Sequence, residues 1–162
     1  MRLFFILILG IALLVGCSKN QEESSTPQTM DNEPQVEQPR TSGPQMLSED
    51  AYKVTASGLR YAILKPSDGP QPKRGDKVIV HYEGWLTDGT KFDSSYDRGQ
   101  PIMFVLGQGQ VIPGWDEGIS LLHVGERAQL ILPPELAYGE RGIGPIPPNS
   151  TLIFEVEIVG IE

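Results

Sequence analysis

The residues best suited to build a binding site in this 162-residue chain are aromatic side chains in its second half. Two of them are phenols, which need hydrogen-bond partners when buried, and Asp93 and Arg98 in the same region could supply them. An apolar hollow with a few polar groups at its edge suits a compact, uncharged ligand, although a single aromatic residue belongs more often to the core than to a binding site. These aromatic residues are Tyr82, Phe92, Phe104, Trp115, Tyr138 and Phe154.

Other kinds of site chemistry have weak support. Residues 107–109 (GQG) begin a dinucleotide-like pattern, but they precede no strand–helix–strand unit and are predicted to form a turn. His81 and His123 have no partner at a metal-ligand spacing. Asp116 and Glu117 fit the first turn of a helix, where the helix dipole favours acids. The sequence lacks a G-x-S-x-G motif. We therefore predict neither a metal site nor a cofactor.

One amphipathic helix is predicted over residues 111–122. Pro113 fits near its start, where a missing N–H costs nothing, and Gly125 is a plausible stop. The apolar residues recur at helical spacing, so they share one face and place the Trp115 indole toward the covering sheet. These residues are Ile112, Trp115, Ile119 and Leu122.

Strands and turns are predicted on both sides of this helix. Val78, Val80 and Tyr82 alternate with Ile79, His81 and Glu83, a period of two that is typical of a strand with one buried face. Asp88-Gly89 is a hairpin signal. Residues 133–150 form a long loop with five prolines, a length often associated with function. The fold class is α+β, with an antiparallel sheet. The predicted strands are 59–64, 77–86, 91–93, 102–106, 127–132 and 151–161.

The N-terminus resembles a targeting segment. Residues 3–15 are an apolar run of 13 residues, too short to span a bilayer comfortably and typical of a signal peptide. It ends in Leu14-Val15-Gly16-Cys17, which resembles a bacterial lipobox and implies cleavage after residue 16 and lipidation of Cys17. The alternative is an ordinary secretory signal with an incidental cysteine. Cys17 is the only cysteine, so the rest of the chain has no disulfide.

Residues 17–50 are predicted to be the lipidated cysteine and a disordered, acidic, Pro- and Gln-rich linker. Residues 18–50 contain four prolines, seven acidic and two basic residues and no aromatic residue. Such a segment cannot bury enough apolar surface to offset its ordering entropy. It is either a tether or a tail without a role. The net charge of −8 argues against nucleic acid as a partner, so membrane attachment would depend on the acyl chains of Cys17.

Three stretches in this order are similar to the FKBP-type peptidyl-prolyl cis-trans isomerases. They are residues 80–95 (VHYEGWLTDGTKFDSS), residues 110–118 (QVIPGWDEG), and residues 137–139 (AYG) with 146–149 (IPPN). The resemblance runs from about residue 59 to the C-terminus and implies an isomerase domain over residues 51–162. It also implies a five-stranded antiparallel half-barrel sheet wrapped around one short α-helix.

The resemblance further implies a proline-binding pocket. Trp115 would form its floor, and the Ile112 amide and the Tyr138 hydroxyl would each bind a substrate carbonyl. Asp93, held by Arg98 and Tyr82, would face the isomerising amide. Catalytic roles fall on Tyr82, Phe92, Asp93, Ile112, Trp115, Tyr138 and Phe154, and substrate-binding roles on Phe104, Val111, Arg98 and Ile146. Ile102 and Gln110 depart from the usual family residues, and residues 139–146 look about one residue short.

The implied partners are X-Pro-containing peptides, unfolded or folding proteins and macrolide inhibitors, bound by a monomer without a cofactor. The signal and Cys17 predict an extracytoplasmic, lipid-anchored protein, on the outer membrane and facing the periplasm in a Gram-negative host. The main alternative is a non-catalytic, membrane-tethered chaperone module that binds proline without turnover.

Overall fold

A computed structural model describes residues 43–162 of the chain. The predicted signal peptide, the lipidation site at Cys17 and most of the predicted linker therefore lie outside the described residues. Among residues 43–162, no helix is long and apolar enough to cross a bilayer.

The described part is an antiparallel sheet packed against a single α-helix, so the predicted fold class is confirmed. Three one-turn 3-10 helices, Glu49–Ala51, Pro134–Leu136 and Gly139–Arg141, lie outside the sheet. The helix is α1, Pro113–Ser120. The strands are β1 Lys53–Val54, β2 Arg60–Lys65, β3 Lys77–Leu86, β4 Lys91–Ser94, β5 Ile102–Val105, β6 Arg127–Leu132 and β7 Leu152–Ile161.

The sheet has seven strands, where the family resemblance implied five and the sequence pattern six, and the pairing explains the difference. The strand order is β1-β2-β6-β7-β3-β4, and β5 also pairs with β3. β5 pairs with residues 77–80 of β3 and β4 pairs with residues 83–85, so they share one edge of the sheet as an interrupted strand. β1 adds only two residues at the other edge. Without β1, and with β4 and β5 taken together, five strand positions remain.

The face of the sheet that packs on α1 forms the core, and the strand alternation predicts it well. In β3, Val78 and Val80 are fully buried. The predicted inward faces of β6 and β7 are also confirmed, because their side chains are at most 3% exposed. These residues are Ala128, Leu130, Leu132, Leu152, Phe154, Val156 and Ile158. We call this the inner face of the sheet and the opposite one the outer face.

Helix α1 is shorter than the predicted segment 111–122. Ile112 is extended and caps it, and Pro113 begins it as expected. After Ser120 the amides of Leu121 and Leu122 bond to carbonyls three residues back, which tightens the chain out of the α-helix. Leu122 nevertheless remains fully buried.

Two glycines bring α1 close to the sheet. A Cβ on Gly114 would lie 2.4 Å from the Leu132 side chain, and one on Gly118 would lie 2.8 Å from Leu130. Real Cβ atoms do not approach neighbours this closely, so any larger residue would push the helix away from β6. The close approach holds Trp115 against the inner face.

Candidate active site

A pocket of about 390 Å³ opens between the start of α1, the inner face of the sheet and the long loop after β6. Strands β3, β4, β5 and β7 contribute one or two side chains each, and the rest come from residues 109–115 and Tyr138. The lining residues are Tyr82, Phe92, Asp93, Ile102, Gly109, Gln110, Val111, Ile112, Trp115, Tyr138 and Phe154.

Aromatic rings pack edge to face around this pocket. Trp115 is 4% exposed, and its ring centroid lies 4.8 Å from that of Tyr82 and 5.3 Å from that of Phe154. Phe92 meets Phe154 at 5.5 Å. All three pairs are within 8° of perpendicular, a favourable arrangement for aromatic quadrupoles. The rings therefore support one another and give the pocket fixed apolar walls.

Gly84 of β3 makes room for two of these rings. A Cβ at this position would lie 2.7 Å from Cζ of Phe92 and 2.8 Å from Cε1 of Phe154. The backbone of β3 thus serves as the surface on which both phenylalanines rest, and any side chain at residue 84 would displace them.

The carboxylate of Asp93 is fixed at the pocket edge by three donors. The Tyr82 hydroxyl donates to Oδ2, while Nη1 of Arg98 and the backbone N–H of Ser94 donate to Oδ1. Nη2 of Arg98 also donates to the Tyr82 oxygen at 2.7 Å, so the three side chains form a closed triangle. A fixed negative charge therefore stands beside apolar walls.

The environment of Tyr82 keeps its hydroxyl protonated. Burial, followed by the hydrogen bond to Asp93, raises the pKa of Tyr82 to about 12, against an opposing effect of Arg98. Burial and the charge of Asp93 also raise the pKa of Tyr138. Both phenols are therefore neutral hydrogen-bond donors over the physiological range.

The raised pKa of Tyr82 has a testable consequence for stability. Below about pH 10 the phenol of Tyr82 is protonated in both the folded and the unfolded protein. Between about pH 10 and 12 it loses its proton only in the unfolded protein. The contribution of Tyr82 to the free energy of unfolding should therefore be complete below about pH 10 and be lost as the pH rises toward 12. Urea unfolding of the wild type and Tyr82→Phe at about pH 9 and about pH 11 measures it. A stability difference independent of pH would contradict the assignment.

Two polar groups at the pocket have no partner within residues 43–162. The backbone N–H of Ile112, at the cap of α1, and the hydroxyl of Tyr138 donate no hydrogen bond there. Both residues line the pocket, so each can bind a ligand carbonyl.

The loop before α1 is tied to the helix by Asp116. Its two carboxylate oxygens accept the backbone N–H groups of Gly107 and Gly109, at 2.9 and 3.0 Å. The side-chain oxygen of Gln110 accepts the N–H of Val105 at 2.9 Å. Asp116 therefore does more than favour the helix dipole, because it fixes the rim of the pocket.

Eight of the eleven predicted site residues line the pocket, and three do not. Phe104 is buried and packs on Trp115, with ring centroids 6.0 Å apart. Arg98 borders an adjoining cleft that shares Phe92 and Asp93 with the pocket. Ile146 belongs to the long loop after β6 and is 6% exposed, with its side chain in the core cluster. The roles of all eleven residues stay predictions.

Three lining residues were not assigned to the site from the sequence: Ile102, Gly109 and Gln110. Ile102 shares a face of β5 with Phe104, and that alternation could have placed it. Gly109 and Gln110 precede the helix in the loop held by Asp116, which no local pattern indicates. Among residues 43–162, no group of three His, Cys, Asp or Glu residues could hold a metal ion.

Comparison with known proteins agrees with this geometry. The family model for the FKBP-type peptidyl-prolyl cis-trans isomerases matches residues 69–159. The peptidyl-prolyl cis-trans isomerase Fkbp12 of Drosophila melanogaster is 56% identical over 107 residues, which cover 65% of this chain and 99% of that protein. The chain belongs to the family of FKBP-type peptidyl-prolyl cis-trans isomerases.

Longer bacterial relatives match over only part of their length. The isomerase FkpA of Aeromonas hydrophila is 54% identical over 114 residues, 70% of this chain but 42% of that protein. The crystal structure of FkpA from Escherichia coli has a TM-score of 0.66 and 46% identity, covering 70% of this chain and 53% of that one. The crystal structure of AtFKBP13, in contrast, matches over nearly its whole length. It has a TM-score of 0.67 and 41% identity, covering 68% of this chain and 98% of that one.

Proposed function

We propose that this chain accelerates the cis–trans isomerisation of X-Pro bonds in extracytoplasmic client proteins. The single observation that supports it best is the pocket of about 390 Å³, whose edge-to-face aromatic walls meet one fixed carboxylate. A proline ring is compact and uncharged, and it fits an apolar space of this kind.

The physical basis is desolvation of a planar amide. Its barrier to rotation, about 18–20 kcal/mol, comes from resonance, which makes the planar form polar. In the twisted transition state most of that resonance is lost, so the carbonyl is less polar. A dry pocket walled by Trp115, Phe92 and Phe154 disfavours the planar form relative to the twisted one.

Orientation supplies a second contribution. The Ile112 amide and the Tyr138 hydroxyl would bind carbonyls on either side of the proline, which holds the flanking chain while the amide turns. A thousandfold acceleration requires only about 4 kcal/mol. An apolar pocket with two hydrogen bonds is sufficient for that, without a covalent intermediate.

Asp93 would act on the carbonyl of the isomerising bond. In the planar amide the carbonyl oxygen carries partial negative charge, and a nearby carboxylate raises its energy. The twisted amide carries less charge on that oxygen and is less affected. Arg98 and Tyr82 hold the carboxylate in place and keep it from turning toward the solvent.

A protease-coupled assay on an X-Pro peptide tests the proposal. The wild-type chain should accelerate the slow cis–trans phase in proportion to its concentration. Binding of the peptide with no acceleration would overturn it in favour of a non-catalytic, tethered chaperone module.

Two replacements of Asp93 should distinguish how much its charge contributes to kcat/KM from how much its hydrogen bonds contribute. We expect Asp93→Val to lower kcat/KM by roughly fivefold, equivalent to about 1 kcal/mol, since it removes both. Asp93→Asn keeps an acceptor for Tyr82 and Arg98 but no charge, and should fall between Asp93→Val and the wild type. Wild-type rates in both variants would exclude a role for the carboxylate.

We further propose that the chain is lipidated at Cys17 and held outside the cytoplasm, on the outer membrane facing the periplasm in a Gram-negative host. The support is the sequence of residues 1–17, which lie outside the described part. Mass spectrometry of the mature N-terminal peptide tests it, because an unmodified Cys17 would contradict it. Monomeric action on unfolded or folding proteins and inhibition by macrolides complete the proposal.

A further inference from the structure

Two long polar side chains are buried on the outer face of the sheet. Gln129 of β6 is 1% exposed and Glu155 of β7 is 5% exposed. Their neighbours in the chain, Leu130 and Phe154, point to the inner face, so strand alternation places Gln129 and Glu155 on the side opposite the pocket. Buried groups of this kind need partners.

Their partner is the backbone of a single residue, Gln45. Oε1 of Glu155 accepts the backbone N–H of Gln45 at 2.7 Å. Nε2 of Gln129 donates to the backbone carbonyl of the same residue at 2.9 Å. Glu155 and Gln129 are paired across adjacent strands, which sets their spacing. We call Gln129 and Glu155 the backbone clamp.

The other polar atoms of the clamp are also paired. Arg127 donates to Oε2 of Glu155, so the buried carboxylate has a counter-ion. Oε1 of Gln129 accepts the hydroxyl of Tyr52. These contacts favour the docked position of residue 45, because moving it away would leave buried atoms of Gln129 and Glu155 without a hydrogen-bond partner.

A second attachment lies seven residues further along the chain. The Arg60 guanidinium of β2 stands 4.6 Å from the centre of the Tyr52 ring and also pairs with Glu49. Between these residues the chain makes the 3-10 turn Glu49–Ala51. Residues 45–52 are thus held at both ends on the domain.

We propose that the backbone clamp docks residues 45–52 and fixes where the preceding chain leaves the domain, on the face opposite the proline pocket. If the chain is anchored at Cys17, a point that rests on the proposed function, the tether then starts on the face opposite the pocket. The docked segment belongs to the same chain, and the composition of residues 17–50 had predicted that most of it would be part of a disordered linker.

The clamp binds only the backbone N–H and carbonyl of residue 45, so it should accept other residues at this position but not proline. The Gln45 side chain takes no part in either hydrogen bond, so Gln45→Ala should leave docking intact. Gln45→Pro removes the N–H that Glu155 accepts and leaves that carboxylate short of a donor. The two variants form a matched pair at a residue remote from the pocket.

Hydrogen–deuterium exchange on the full chain tests the docking. In the wild type and in Gln45→Ala, the amide of residue 45 should exchange at least about tenfold more slowly than in an unstructured peptide. Gln45→Pro should speed exchange at Ala51 and Tyr52, the amides of residues 46–52 that donate backbone hydrogen bonds, because their turn is then held by one attachment instead of two. It should also lower Tm by about 5 °C. Free-peptide exchange at residue 45 in the wild type, or equal protection of Ala51 and Tyr52 in both variants, would overturn the proposal.

A paramagnetic label tests the direction of exit. With Cys17→Ser, a nitroxide on Gly43→Cys should broaden the amide signals of Glu155 and Glu157 and spare Val111 and Tyr138. The reverse pattern would overturn the proposal. Isomerase activity, measured in parallel, should be unchanged by Gln45→Ala and Gln45→Pro. Absent activity in the wild type would sink the proposed function and leave the docking result standing.

Discussion

Phe92→Ala should lower kcat/KM for an X-Pro peptide by at least about tenfold, which corresponds to about 1.4 kcal/mol of transition-state stabilisation. Phe92 is half-buried and forms one wall of the pocket, with its ring edge to face on Phe154 at 5.5 Å. Its removal admits water beside the amide, and the planar form is then no longer disfavoured. Protease-coupled kinetics measure the loss, and circular dichroism confirms that the domain stays folded.

Tyr96→Ala is a suitable control for this experiment. Tyr96 is also partly buried, but it stacks on His81 at 4.4 Å and does not line the pocket. We expect near-wild-type kcat/KM from this variant. An equal loss in both variants would point to general destabilisation, and wild-type rates in folded Phe92→Ala would refute the site assignment.

Gly84→Ala should also lower kcat/KM, by about tenfold or more. The added methyl group would overlap both Phe92 and Phe154, so at least one ring must leave its place. We expect the loss in activity to be larger than the loss in stability, because a displaced ring reshapes the pocket while the sheet keeps its hydrogen bonds. Kinetics and urea unfolding of the same preparation separate the two effects.

Gly160→Ala is the matched change. Gly160 also lies in a strand and pairs with β3, but the closest atom to its added Cβ is Cδ1 of Ile79, at an ordinary 3.8 Å. We expect normal activity from this variant. Wild-type activity in Gly84→Ala would show that the rings tolerate the displacement.

The regular elements could be predicted because their patterns are local. The bounds of β3 and β6 follow from strand alternation and match the structure. The sequence pattern did not predict where α1 ends. Leu121 and Leu122 keep the apolar spacing of a helix, but their amides donate to carbonyls three residues back. The strand pattern also missed β1, which has only two residues, and only the pairing shows that β4 and β5 share an edge.

The site divides in a similar way. The aromatic set and Asp93 could be recognised from residue types and from the family resemblance. Gly84, Gly114 and Gly118 could not, because the close approaches they permit depend on rings and helices that are distant in sequence. The docking of Gln45 on Gln129 and Glu155 joins residues more than 80 positions apart, within a stretch whose composition resembles a linker.

The segment between β4 and β5 contains exposed residues that the core does not need and one residue, Arg98, that contacts the candidate site. Residues 95–101 leave the sheet between β4 and β5, and residues 97–100 are exposed, so the sequence of these four can vary with little cost to the core. Yet this excursion carries Arg98 back to the carboxylate of Asp93. Substitutions in this excursion could therefore change how the Asp93 carboxylate is held at the pocket edge while the core of the sheet stays the same.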